Sequence, residues 1–332
     1  MNKILIIQTA SIGDVILSTP LLEKMHDLFP DSQIDLLIKK GNESLFNSHP
    51  FIHNLLIWNK KNNKYQHLFN LLKSIRFENY DLVVNLQRFA SSGLLTAFSG
   101  AIIKIGFDKN PFSIFFTKRV KHSIGNAGVE IHEVDRNLKL LESFHSDKKY
   151  PVKLYPSQSD FALVSQYKTH KFICIAPASL WNTKQFPKDR WIEFVRNLDK
   201  DLIIYFIGAK SDVELCNEII TKSTHSNSIN LAGKLSLLQS AALMKDAAMN
   251  YVNDSSPLHL ASAMNARLTA IFCSTVTSFG FGPQADDAVV VEVRNKLICR
   301  PCGLHGYKEC PENHFKCAYD ININELIQRI NG

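Results

Sequence analysis

Three short stretches hold residue types that could do chemistry, and each follows an apolar run. The first is Asn253-Asp254-Ser255-Ser256-Pro257-Leu258-His259, with an acid, two hydroxyls, a proline suited to a first helical position and an imidazole one turn in. Asp254 or Ser255 would suit an N-cap. The free N–H groups of a helix start, together with its dipole, can receive a phosphate. Read locally, the same residues also describe a capped helix that binds nothing. The second stretch is Pro177-Ala178-Ser179-Leu180-Trp181-Asn182-Thr183-Lys184, ending in a lone lysine before Phe186-Pro187. An ammonium there suits a phosphate as a point charge; a solvated loop lysine fits equally. The third is Ser11-Ile12-Gly13-Asp14, opening the first helix. A carboxylate so placed and facing a cleft could act as a general base, or it could simply complement the helix dipole.

Several common chemistries lack their signatures. No Gly-x-Gly-x-x-Gly follows a strand, which argues against a nicotinamide dehydrogenase, and no Gly-x-x-x-x-Gly-Lys-Ser/Thr marks a P-loop. Neither Gly-x-Ser-x-Gly nor His-Glu-x-x-His occurs. Of the seven cysteines, Cys174, Cys216 and Cys273 sit in apolar segments and read as core. Cys299, Cys302, Cys310 and Cys317 crowd into one tail, with His305 and His314 among them. They could hold a structural zinc, pair as disulfides, or form a reduced packed loop.

Positioning such residues takes alternating strands and helices, and the chain supplies them. Lys3–Gln8, Ile34–Ile38, Ile52–Trp58 and Tyr80–Leu86 read as strands. Between them lie a helix carrying Val15, Leu17, Leu21, Leu22, Met25 and Leu28, and an amphipathic helix over Tyr65–Ile75. His145–Asp160, with Pro151 and Pro156, is the linker candidate. Alternation then restarts, with strands at Phe172–Ala176, Leu202–Ile207, Ile229–Leu231, Ala247–Val252, Leu268–Cys273 and Ala288–Val293. The expectation is α/β: two doubly wound parallel sheets, in which ligands sit beyond the carboxyl ends of the strands. All three chemical stretches follow strands, and a cleft between the halves could gather them.

At 332 residues the chain exceeds what one core usually reaches, so two domains are expected, 1–155 and 156–332, the second ending in the cysteine-rich tail and a closing helix. Its 45% hydrophobic and 21% charged residues exclude a disordered chain. A net charge of +7 favours anionic partners. A nucleic-acid binder would rest on that charge alone, with no recognisable motif. Residues 89–103 are uncharged but short, and 268–285 are broken by Gly280, Gly282 and Pro283, so no membrane span or secretory leader is expected. The protein should be cytoplasmic, at most peripheral to a membrane. The segment 102–122 mixes Lys104, Lys109, Lys118, Arg119 and Lys121 with Phe107, Phe112, Phe115 and Phe116. It reads either as a membrane-surface or acceptor-binding loop, or as a core strand with solvated lysines.

Taken in order, these pieces resemble glycosyltransferase family 9, the lipopolysaccharide heptosyltransferases. The resemblance runs through Lys3-Ile4-Leu5-Ile6-Ile7, Ser11-Ile12-Gly13-Asp14-Val15-Ile16, Thr19-Pro20-Leu21-Leu22 and Asp81-Leu82-Val83-Val84-Asn85-Leu86-Gln87. It continues in the Lys184 loop, in Asn230-Leu231-Ala232-Gly233-Lys234-Leu235-Ser236-Leu237 and in the Asn253–Ala261 stretch. It implies a GT-B fold, with two Rossmann-like domains facing across a cleft, the first for the acceptor and the second for the nucleotide sugar. It further implies inverting, metal-independent transfer of heptose from ADP-heptose to a hydroxyl of the lipopolysaccharide inner core, at the inner face of the inner membrane. By the same resemblance Asp14 is the general base and Ser11 and Gly13 meet the acceptor. Ser179, Lys184, Gly233, Asp254, Ser255, Ser256 and His259 hold the donor, and no cofactor is needed for catalysis. Two departures stand out: Ser256 where the family usually has glycine, and Cys273-Ser274-Thr275-Val276-Thr277 where it usually reads Gly-Pro-Thr. Both bear on the donor more than on the reaction type. The alternatives are transfer of another nucleotide-activated sugar to a surface polysaccharide, or a non-catalytic binding relative, against which the retained Asp14 and Lys184 argue.

Overall fold

The computed structural model describes every residue except 62, 126–129 and 332. The chain forms two compact units, one comprising residues 1–125 and 131–155, the other running from Pro156 onward. Each is built on one six-stranded sheet.

The first sheet contains β1 (Lys3–Ile7), β2 (Gln33–Lys39), β3 (Ile52–Trp58), β4 (Leu82–Asn85), β5 (Ile103–Phe107) and β6 (Lys118–Val120). Their order is β3-β2-β1-β4-β5-β6, with every pair parallel. Ile4, Leu5, Ile6 and Ile7 are fully buried, as expected of a central parallel strand covered on both faces. The second sheet contains β7 (Phe172–Ala176), β8 (Ile203–Phe206), β9 (Ser228–Asn230), β10 (Met249–Asn253), β11 (Leu268–Phe272) and β12 (Ala288–Glu292). Its order, β12-β11-β10-β7-β8-β9, is again wholly parallel. The expected α/β class of two doubly wound sheets, the GT-B class, is therefore correct. In each sheet the strand order reverses between the first and fourth strands, the switch point at which such sheets bind ligands.

The first helix is shorter than its apolar spacing predicts. It breaks into Ile12–Ile16 and Thr19–Leu28. Pro20 has no N–H to give to the carbonyl of Ile16, so a continuous helix would leave that carbonyl bare. The Thr19 hydroxyl takes its place, donating to Ile16 O at 2.8 Å, and Ser18 Oγ donates to Val15 O at 2.7 Å. The linker candidate is tied down rather than free. Val152 and Leu154 are buried, Lys153 N–H donates to Thr19 Oγ1, and Tyr155 OH donates to Glu23.

The core of the second unit reaches into its last helix, Ile323–Asn331, through Ile323 and Leu326. The buried Tyr251 hydroxyl of β10 donates to Leu326 O at 2.7 Å. Among the described residues no helix is long and apolar enough to cross a membrane.

Candidate active site

At the switch point of the second sheet, β7 runs into a loop that ends in the short turn Asn182–Lys184, and β10 runs into Asp254. The asparagine at the end of β10 holds these loops together. Asn253 Oδ1 accepts the Phe186 N–H at 2.9 Å, and its Nδ2 donates to Pro177 O at 2.8 Å. Lys184 and Asp254 meet across this frame, Nζ to Oδ2 at 2.7 Å, with side chains only 16% and 7% exposed. The same Asp254 oxygen accepts the Thr275 hydroxyl at 2.6 Å. Lys184 is therefore not a solvated loop lysine, and Asp254 is not a cap: its carboxylate is spent on the ion pair. An ammonium carries three donors, so Lys184 keeps two for a ligand while Asp254 fixes its position.

Ser255 occupies the N-cap of the helix Ser256–Ala263 in extended conformation, but no side chain caps the helix. Its Oγ instead donates weakly to Asn253 O, at 3.4 Å. Backbone donors at this helix start are thus left for an anion. Ser256, the first helical residue, is half-buried and does not have a positive φ. A serine therefore sits without strain where a glycine would otherwise be usual. His259 is buried on the same helix. Ser179 is half-buried in the β7 loop, its N–H donating to the Gln185 side chain at 3.1 Å. Gly233 packs elsewhere along the carboxyl edge. At φ +70° it lies after β9, where an added Cβ would come within 2.9 Å of Lys210 Cα. Its contacts are with the loop after β8, through Gly208 O, rather than with the ion pair.

In the first unit, Asp14 is half-buried at the third position of its five-residue helix. Its Oδ2 takes the backbone N–H of Ser11 at 3.1 Å and also the Ser11 hydroxyl. Asp14 therefore does close the helix start, as dipole complementarity predicts, with one carboxylate oxygen. Ser11 is exposed and Gly13 buried. Close by is a buried pair absent from the sequence-based expectation. Arg136 Nε donates to Glu133 Oε2 at 2.8 Å. Burial pushes the Glu133 carboxyl up, and the Asp14 charge adds to the shift while Arg136 opposes it.

A depression of about 600 Å³ in this unit is lined by Arg88, Phe89, Lys109, His122 and Ile124. Burial lowers His122 to about 4, helped by the charges of Arg88 and Arg136. The imidazole is thus neutral in a cationic surround. The basic and aromatic segment beside it divides. Phe107 and Phe116 are core, whereas Phe98, Phe112 and Phe115 form an aromatic group with Phe98 and Phe115 exposed. Lys109 is exposed at the depression, while Lys118 pairs with Glu142 at 3.3 Å.

Zinc, one of the three readings of Cys299, Cys302, Cys310 and Cys317, is not shown by the structure. All four are free thiols, and among the described residues no three His, Cys, Asp or Glu side chains are gathered to hold a metal. Cys302 donates to the carbonyl of Cys299 at 3.4 Å, and Cys317 is buried. Burial raises Cys302 and takes Cys317 to about 12. Among the described residues the tail carries no disulfide, and Cys302 and Cys317 pack inward.

Residue type alone did not reveal the roles of Asn253 and Thr275 at the second switch point, nor single out Glu133, Arg136 and Arg88 in the first unit. One signal was available: both fourth strands end in Val-Asn, Val84-Asn85 and Val252-Asn253, just before the candidate loops.

The sequence model of glycosyltransferase family 9 (heptosyltransferase) matches residues 68–309. Lipopolysaccharide heptosyltransferase 3 of Escherichia coli is 28% identical over 283 residues, covering 79% of this chain and 81% of that protein. Lipooligosaccharide heptosyltransferase 2 of Campylobacter jejuni is 25% identical over 331 residues, 98% of this chain and 97% of that one. Among solved structures, E. coli ADP-heptose lipopolysaccharide heptosyltransferase II superposes with a TM-score of 0.80 at 20% identity, covering 99% of this chain and 97% of that one.

Proposed function

The chain belongs to glycosyltransferase family 9, and on that premise we propose that it transfers a heptose from ADP-heptose to a hydroxyl of the lipopolysaccharide inner core. The observation that carries this reading is the Lys184 ammonium, held by Asp254 beside an uncapped helix start at a sheet switch point. Relatives named as heptosyltransferases, which align with most of the chain, support the sugar.

In the proposed reaction Asp14 takes the proton of the acceptor hydroxyl. The oxygen attacks the anomeric carbon as the bond from that carbon to the diphosphate oxygen breaks. One direct displacement inverts the anomeric centre. The charge gathering on departing ADP is met by Lys184 and the N–H groups before Ser256–Ala263, donors already in place and needing no reorganisation. These donors supply the neutralisation that a divalent cation could otherwise provide, so the step is written without a metal. The second unit thus takes the nucleotide sugar and the first the acceptor. Arg88 and Lys109 suit an acceptor that is itself anionic. The exposed Phe98 and Phe115, beside basic residues, suit contact with the inner membrane surface on which such an acceptor resides.

The direct test supplies labelled ADP-heptose and a heptose-deficient core acceptor to the purified protein. Labelled acceptor is expected. Transfer from a different nucleotide sugar, with none from ADP-heptose, would move the donor assignment to the other sugar. Stabilisation against heat by ADP but not by UDP or GDP is the matching binding result.

A further inference from the structure

The cysteine-rich tail has no place in the reaction above, yet residues 300–307 touch both partners of the Lys184–Asp254 pair through one intermediary each. On one side is Arg300, whose side chain is 9% exposed and paired with Glu292. Its Nε donates to Cys273 O at 2.7 Å, and its Nη2 donates to Thr275 O at 2.7 Å. That grip fixes the loop after β11, and the Thr275 hydroxyl in turn donates to Asp254. On the other side is Thr183, buried and next to Lys184 in the chain. Its N–H donates to Tyr307 O at 3.1 Å, and its Oγ1 accepts the Tyr307 N–H at 2.7 Å. Ser274 Oγ also donates to Thr183 Oγ1, at 3.0 Å, and Cys302 N–H donates to Ser274 O at 2.8 Å. Gly306 closes the arrangement at φ +75°. A Cβ there would stand 2.9 Å from Thr183 Oγ1, 3.0 Å from Lys184 Cγ and 3.2 Å from Ser274 Oγ.

We propose that residues 300–307 are a positioning strap that sets the reach of the Lys184 ammonium, and with it the grip on the donor diphosphate. Gly306 and Arg300 are its positioning residues, and Thr183 is the residue through which it reaches Lys184. This rests on the reading of Lys184 as a diphosphate ligand. The physical ground is that a charge acting on a transferring group loses much of its value when displaced by about an ångström. A side chain added at Gly306 would meet Lys184 at Cγ, partway along the side chain, so a small change in the tail would move the charged end.

The test separates phosphate grip from general damage by measuring ADP and adenosine binding side by side. Thr183→Val keeps the shape and removes the acceptor of two hydrogen bonds; Gly306→Ala presses on Lys184 Cγ. Each should weaken ADP by on the order of tenfold and leave adenosine unchanged, because adenosine has no group for Lys184 to hold. Thr183→Ser, which keeps the hydroxyl, should restore ADP affinity. Equal weakening of ADP and adenosine would overturn the strap as a positioning device. So would unchanged ADP binding in both variants while Lys184→Ala weakens it. If Lys184→Ala itself leaves ADP binding unchanged, the diphosphate reading fails first and the strap falls with it.

Discussion

Asn85 and Asn253 end the fourth strand of two sheets with the same strand order, and they are used very differently. Asn253 reaches back to the first strand's loop, binding Phe186 N–H and Pro177 O. Asn85 only accepts the N–H of Gln87, two residues on, and its buried Nδ2 has no hydrogen-bond partner among the described residues. In the first unit that bridging falls to Thr9 and Gln87, joined at 2.6 Å. The contrast extends to the charges. In the second unit Lys184 and Asp254 are sheltered and already paired. In the first, Asp14 uses one oxygen in its helix start, and Arg88 and Lys109 line an open depression. One switch point is finished before a ligand arrives; the other keeps its charge available for one. The shared topology supplies the place, and a few loop residues decide whether that place is preset or receptive.

The largest expected effect follows from the receptive side. Asp14→Asn should lower the transfer rate by about a thousandfold, the range of a lost general base, with ADP binding unchanged. A rate within tenfold of wild type would remove the base role and much of the contrast. On the preset side, Lys184→Ala should cost about a hundredfold in transfer, as for a lost transition-state donor. It should also lower stability by about 3 kcal/mol, because Asp254 is left buried and unpaired. Denaturant melts would report the second effect and steady-state rates the first.

The two asparagines give the sharpest paired comparison. Asn253→Ala strands the Phe186 N–H and the Pro177 carbonyl in the interior and should cost about 2–3 kcal/mol. Asn85→Ala removes one local bond and an unsatisfied donor together, and should cost about 1 kcal/mol or less. Equal losses in chemical denaturation would mean the two strand ends do the same job. The smallest effect is electrostatic. His122 titrates near 4 because it is buried and because neighbouring cations oppose its protonation. An anionic acceptor in the depression would favour the imidazolium, so the pKa must rise on binding. NMR titration of the imidazole with and without acceptor checks the sign. Arg88→Ala should blunt the rise and raise the acceptor KM a few-fold, leaving the KM for donor alone.

Much of the frame was legible because parallel strands covered on both faces must be apolar throughout, as Ile4–Ile7 and Phe172–Ile175 are. Helix ends were harder. Apolar spacing continues across Ser18, and only Pro20 signals that the backbone hydrogen bonds cannot follow it. The candidate residues were visible by type, but their partners were not. Lys184 and Asp254 lie far apart in the chain, and nothing local to either says that they pair. Thr275 and Arg300 act through a hydroxyl and through backbone carbonyls, whose positions exist only once the chain is folded. The tail stayed open between its three readings for a different reason. Closely spaced cysteines suggest a metal, yet local spacing does not fix where each thiol points, and Cys302 turns to a backbone carbonyl.

The hydrogen bond from Tyr251 to Leu326 spans 75 positions of the chain. A ribosome adding about 5–20 residues per second takes roughly four to fifteen seconds to cover that distance. Through that interval β10 has been synthesised without the helix that covers it. The second unit therefore completes its core only once the helix Ile323–Asn331 has been made. Removing residues 323–331 should leave newly made chains prone to aggregate, while the first unit can already have folded.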